Sequence, residues 1–267
     1  MTANSATSTV TGMNTVIALA VVLAASTPSA LAGSPWDGTW KLDRSKSHLT
    51  GGTVTLSRAG NGRWKYNDGT VSYEFGLDGK PVKTFGDETM SATGDGDHVL
   101  DLVFKAKGTE SRMHMELSAD GNTITEHGSG TRPDGSKAEE NGAMERVGKG
   151  SGFAGTWKST KSESNAGVSF VLAIEGDHIK WDWPTYKRTV DGKMDGSPLP
   201  VTGAAATPGM LFSVRKVSAT RLSYNVKGEG KVLAEGTLVL SPDGRTLTDT
   251  EWALAKPKEK SIAVYTK

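Results

Sequence analysis

Gly38-Thr39-Trp40-Lys41 returns as Gly155-Thr156-Trp157-Lys158, an offset of 117 residues. Tyr73, followed by Asp78-Gly79-Lys80, returns as Tyr186 followed by Asp191-Gly192-Lys193, at an offset of 113. Leu117-Ser118-Ala119-Asp120-Gly121-Asn122-Thr123-Ile124-Thr125 returns as Leu240-Ser241-Pro242-Asp243-Gly244-Arg245-Thr246-Leu247-Thr248, at 123. Three landmarks in one order, with offsets drifting by loop-sized amounts, make the chain one unit written twice. The repeats are expected at 34–148 and 153–267, joined at 148–152 by a Gly-Lys-Gly-Ser-Gly run that reads as a flexible linker. Whatever fold this chain adopts must therefore be one that about 115 residues can complete.

Within each repeat the apolar period is two. Leu100, Leu102, Phe104 and Ala106 alternate with their neighbours, and so do Val168, Phe170, Leu172 and Ile174. Ile179, Trp181 and Trp183 form one such run, and Leu222, Tyr224 and Val226 another. Period two places these side chains on one face of a sheet. Glycine is abundant, 33 residues in 267, nearly twice the usual share. Asp-Gly and Asn-Gly pairs between the runs read as hairpin turns. No sustained helical period follows residue 33. Each repeat has room for about eight strands of ordinary length. The expected fold is all-β, two tandem antiparallel up-and-down barrels.

Each repeat opens with Gly-x-Trp in its first strand, and the first closes with Arg146 in its last. This resembles the lipocalin and wider calycin group. The resemblance implies that Trp40 and Trp157 pack at the closed ends of their barrels, each ring crossed by a basic residue from the closing strand. Arg146 would then cover Trp40, and Lys267, which aligns with Arg146, would cover Trp157. Such a cation–π contact is worth about 0.5–2 kcal/mol. The wider pattern is also similar to secreted bacterial proteins of unassigned activity.

Trp181 and Trp183 put two indoles on one face of one strand, and Trp64 with Tyr66 is the expected counterpart in the first repeat. These four are the candidate ligand-binding residues, as walls gripping a small apolar molecule. The first half carries 15 basic and 18 acidic groups and the second 16 and 12, which makes the second the more basic. A better-developed pocket is expected there, suited to an apolar ligand with an acidic head. No catalytic residue, metal ligand or cofactor site is identified. The five histidines have no zinc-type spacing. In Met113-His114-Met115-Glu116 the methionines and the polar pair face opposite sides of a strand. Asp78, Asp120, Asp191 and Asp243 are explained by turn conformation. A binder needs only a cavity, whereas a hydrolase or isomerase on the same scaffold needs titratable groups converging inside it. No such cluster stands out among the inward residues, which favours a non-catalytic protein that binds a small, mainly apolar ligand or serves an envelope role.

A net charge of +1 argues against nucleic-acid binding. Zero cysteines exclude disulfides and thiolate chemistry. Residues 16–25 form an apolar run of ten, followed by Ala30-Leu31-Ala32. That is the pattern of an export signal at 1–32, too short to span a bilayer, with the mature protein periplasmic or extracellular.

Overall fold

The computed structural model describes residues 33–49, 52–107, 109–165 and 168–267; the expected export signal lies outside the described residues. The chain is all-β. Its strands in order are β1 (Gly38–Leu42), β2 (Thr53–Gly60), β3 (Arg63–Asn67), β4 (Ser72–Phe75), β5 (Val82–Lys83), β6 (Thr89–Gly94), β7 (Val99–Ala106), β8 (Thr109–Leu117), β9 (Thr123–Thr131), β10 (Lys137–Ser151) and β11 (Ala154–Ser164). They continue as β12 (Ser169–Glu175), β13 (His178–Trp183), β14 (Arg188–Lys193), β15 (Asp195–Pro200), β16 (Leu211–Ser218), β17 (Arg221–Gly228), β18 (Lys231–Leu240), β19 (Thr246–Ala253) and β20 (Lys260–Thr266). All pairings are antiparallel, in two ten-stranded, nearly closed sheets. Ten strands replace the expected eight because several, such as β4 and β5, are only four and two residues long.

The two sheets do not follow the repeat boundaries. One runs β4-β3-β2-β11-β10-β9-β8-β7-β6-β5, so all of it comes from residues 53–164, the continuous barrel. The other runs β14-β13-β12-β1-β20-β19-β18-β17-β16-β15, the split barrel. Each barrel therefore takes its Gly-Thr-Trp-Lys strand from the other repeat. The expected units at 34–148 and 153–267 exchange their opening strands.

The cause lies in the run read as a linker. Residues 148–151 belong to β10, which turns into β11 over Gly152 and Phe153, with Ser151 opposite Ala154. Gly152 supplies the left-handed φ of 55° at the turn. A connection this short makes consecutive strands a hairpin, so β11 takes the place beside β10 and β2. Gly150 and Gly155 serve packing rather than flexibility. A Cβ added at Gly150 or Gly155 would meet the Arg146 guanidinium at 2.0 or 2.4 Å. With that place filled, β1 pairs instead with β12 and β20. The registers are the same in both barrels: Gly38 and Trp40 face Leu172 and Phe170, as Gly155 and Trp157 face Leu56 and Val54.

Two separate cores result. Trp36, Trp40, Leu172, Ile179, Leu222 and Leu247 fill one end of the split barrel. Trp64, Leu100, Ile124, Phe153 and Trp157 belong to the core of the continuous one.

Candidate functional site

The strand exchange crosses the closing contacts. Trp40 and Trp157 are both fully buried, at 0 % exposure, and each indole Nε1 donates to a carbonyl four residues earlier, of Trp36 and Phe153. Arg146 lies over Trp157, 4.1 Å from the ring centroid, and Lys267 over Trp40, at 4.8 Å. This corrects the expected pairing of Arg146 with Trp40: the basic residue of each closing strand meets the tryptophan that shares its barrel. The Arg146 guanidinium also donates to the carbonyls of Gly121, Ala154 and Gly152, at 2.6–2.8 Å. Lys267 Nζ donates to Pro35 O at 2.6 Å.

Away from its closed end the split barrel holds a cavity of about 400 Å³. Alternation along β12, β13, β16 and β17 sends Phe170, Trp181, Trp183, Phe212 and Tyr224 into its wall. Trp181 and Trp183 stack at 4.8 Å with planes 24° apart. Trp181 meets Phe170 at 5.4 Å and Tyr224 edge-on at 5.6 Å, and Tyr265 closes on Phe170 at 4.7 Å. Trp181 is 3 % exposed, and its Nε1–H finds no acceptor among the described residues.

One stretch of this wall is polar. On β19 the inward face continues from Leu247 to Asp249 and Glu251, and both carboxylates line the cavity. The Tyr224 hydroxyl lies 2.9 Å from Asp249 Oδ1 and 3.0 Å from Glu251 Oε2. Burial in this apolar chamber pushes the Asp249 carboxyl up to about 7; the Tyr224 hydrogen bond opposes the rise and the Glu251 charge adds to it. Burial likewise holds the Tyr224 phenol well above its ordinary range, with the two carboxylates adding. Tyr224 reaches them across Gly236, where a Cβ would meet its ring at 2.2 Å. Arg188, the one cationic side chain lining the cavity among the described residues, donates Nε to Ala205 O at 3.0 Å. Two carboxylates against one guanidinium replace the expectation of an acidic head. The basic surplus of this half does not reach the cavity.

The continuous barrel holds a smaller cavity of about 320 Å³. Tyr66 and Tyr73 stack in its wall at 4.9 Å, with Met90 and Met113 beside them. Glu126 also lines it, its carboxyl raised by burial and then by the Glu140 charge. Trp64 does not line this cavity. It is fully buried toward the closed end under Arg58, 4.1 Å from the ring.

Trp181, Trp183 and Tyr66 thus face cavities, and Trp64 does not. Register shows why the expected counterpart is displaced. Leu56 pairs with Tyr66 as Leu172 pairs with Trp181, and Arg58 with Trp64 as Ile174 with Ile179. Tyr66 corresponds to Trp181, and Trp64 to Ile179. Sequence reasoning missed Glu126, Asp249 and Glu251, although the third landmark needs only one further residue to pair Glu126 with Asp249. The convergent titratable groups thought absent from the barrel interior are present in Tyr224, Asp249 and Glu251. Outside the barrels, His114 bonds Asp101 at 2.7 Å and Glu116 at 3.1 Å on an exposed face, with its pKa raised mainly by Asp101. No helix among the described residues is long and apolar enough to cross a membrane. No family model and no curated protein matches this chain, so what it does must be read from its two cavities.

Proposed function

We propose that this chain is an exported, lipocalin-like binding protein that holds a small, mainly apolar ligand in the split barrel. The observation that carries the reading is the cavity of about 400 Å³ walled by Phe170, Trp181, Trp183, Phe212 and Tyr265. Its size falls within the range of small-molecule sites, and its lining is of the kind such sites use. The buried Gly-x-Trp tryptophans under basic residues support the calycin likeness, and the apolar run before Ala30-Leu31-Ala32 supports export. A second reading, a hydrolase or isomerase on the same scaffold, is favoured by Asp249 and Glu251 meeting Tyr224 inside that chamber, as general acid–base chemistry would require.

One titration separates the two. Planar aromatic esters and their parent hydrocarbons are added while tryptophan fluorescence is followed, and the esters are then recovered. The binding reading expects a saturable response, lost in Trp181→Ala and Trp183→Ala with the circular dichroism of the fold retained, and esters returned intact. No saturable response, or one that both substitutions leave unchanged, overturns it. Ester cleavage that disappears in Asp249→Asn decides for the enzyme.

A further inference from the structure

The split-barrel cavity combines two features that a purely apolar chamber would not keep together: stacked indoles and a pair of converging carboxylates. We propose that its ligand is an organic cation, with a planar apolar body lying on Trp181 and Trp183 and a protonated nitrogen held by Asp249, Glu251 and the rim of aromatic faces. This rests on the reading of the cavity as a binding site and names the chemical class it takes.

The first argument is proton counting. Asp249 Oδ1 and Glu251 Oε2 both lie within hydrogen-bond distance of one phenol oxygen. Tyr224 has a single proton to donate, so one carboxylate is always left without it. Neither carboxylate forms an ion pair among the described residues; the salt bridges there involve other acids. Two like charges close together in a poorly solvated chamber repel each other. An ammonium group offers up to three donors and a positive charge, and it relieves both deficits.

Aromatic placement gives the second. Trp181 stands between Phe170, Trp183, Phe212 and Tyr224, at centroid distances of 4.8–5.9 Å. Electron-rich faces packed beside carboxylates are the usual surroundings of a desolvated organic cation. Trp181 itself is nearly completely buried yet has an unpartnered Nε1–H, a donor that a polar atom on the ligand can meet.

Then there is divergence at fixed register. Gly128 faces Met113 in the continuous barrel where Glu251 faces Gly236 in the split one, and Met113 faces Leu102 where Gly236 faces Tyr224. Of the three-residue cluster only the first carboxylate has a counterpart, Glu126. The opposing charge, Arg188, stands on β14, five strands from β19 in either direction around the ten-strand wall. Its guanidinium lies 5.7 Å from the Tyr186 ring. The cavity is thus polarised, with its negative side on β19. Tyr186, Tyr224 and Tyr265 are the other titratable groups facing it.

The test uses one apolar body with three heads: naphthylmethylammonium, naphthylmethanol and naphthoate, titrated calorimetrically into the protein at pH 8 and pH 5.5. The ammonium compound is expected to bind at least ten-fold tighter than the alcohol at pH 8. Asp249→Asn and Glu251→Gln should each weaken the ammonium compound far more than the alcohol and so remove most of that advantage. The advantage should also shrink at pH 5.5, where Asp249 carries a proton. Equal affinity for the three heads, or preference for naphthoate, overturns the cation proposal while the apolar-ligand reading survives. Failure of all three to bind overturns both.

Discussion

At their closed ends the two barrels follow one plan, down to the same register, the same indole-to-carbonyl hydrogen bond and the same basic cover. Beyond that layer they part. The continuous barrel adds a second covered indole, Arg58 over Trp64, where the split barrel has Ile174 and Ile179. Its cavity is the smaller, walled in part by methionines and lined by Glu88 and Glu126; the other is larger, walled by stacked indoles, with Asp249 and Glu251 joined by the Tyr224 hydroxyl. Shared architecture sits where a barrel must be sealed, and difference sits where a ligand would be chosen. The two barrels share a fold, and their unmatched positions are where binding would differ.

The comparison breaks most visibly at the tryptophans. Trp40→Ala and Trp157→Ala should each cost about 3–5 kcal/mol, as large deletions from a packed core. Because the strands are exchanged, hydrogen exchange should show Trp40→Ala loosening residues 168–267 and Trp157→Ala loosening 53–147. The reverse assignment would mean that each repeat keeps its own opening strand.

A smaller effect sharpens the two closures. Arg146→Ala removes a ring cover and three hydrogen bonds to carbonyls, those of Gly152 and Ala154 at the β10–β11 hairpin and that of Gly121 in the turn between β8 and β9, a loss of about 2–3 kcal/mol. Lys267→Ala removes one ring cover and one exposed hydrogen bond and should cost below about 1 kcal/mol. Urea denaturation of both variants checks the ranking, and equal losses would remove the distinction.

The last is a pH effect centred on Asp249 in the split barrel. Asp249 has a folded pKa near 7, above the usual 3.8. The native state therefore holds this proton more tightly than the unfolded chain does. The stabilisation is complete below about pH 4 and is lost as pH rises toward 7. Asp249→Asn should abolish this slope, so that its stability relative to wild type rises by about 3–4 kcal/mol between pH 4 and 7.5. Denaturation midpoints across that range measure it, and parallel profiles for the two proteins would contradict the buried-acid assignment.

The strand class and the repeat were legible because both are local patterns: period-two alternation and turn residues. Partner choice was not. Self-comparison shows that Gly38–Lys41 and Gly155–Lys158 are equivalent, but two equivalent strands fit either barrel, and the turn at Gly152 decides between them. The glycines at 148–152 have the composition of a linker, and only the side chain that Gly150 makes room for, Arg146, and the left-handed turn at Gly152 reveal their use. In the site, Trp181 and Trp183 announced themselves by size. Asp249 and Glu251 did not, since Thr248-Asp249-Thr250-Glu251 reads as a solvated edge and the only apolar mark on its inward face is Leu247. Trp64 was placed by residue type, and register moves it one pair toward the closed end.

The exchange of opening strands also sets an order of assembly on a chain made from its N-terminus. Everything the continuous barrel needs has emerged by Ser164, and its contacts join strands that are mostly consecutive. In the split barrel β1 can pair with β12 as soon as Ser169–Glu175 has emerged, but its other edge stays open until β20 is made, a separation of 232 residues between Pro35 and Lys267. Closing over so long a span is slow, and a strand edge left open meanwhile is a place for mispairing. During synthesis this protein is therefore a finished barrel beside a sheet with one edge still open, and the half that carries the indole-walled cavity is the last to exist.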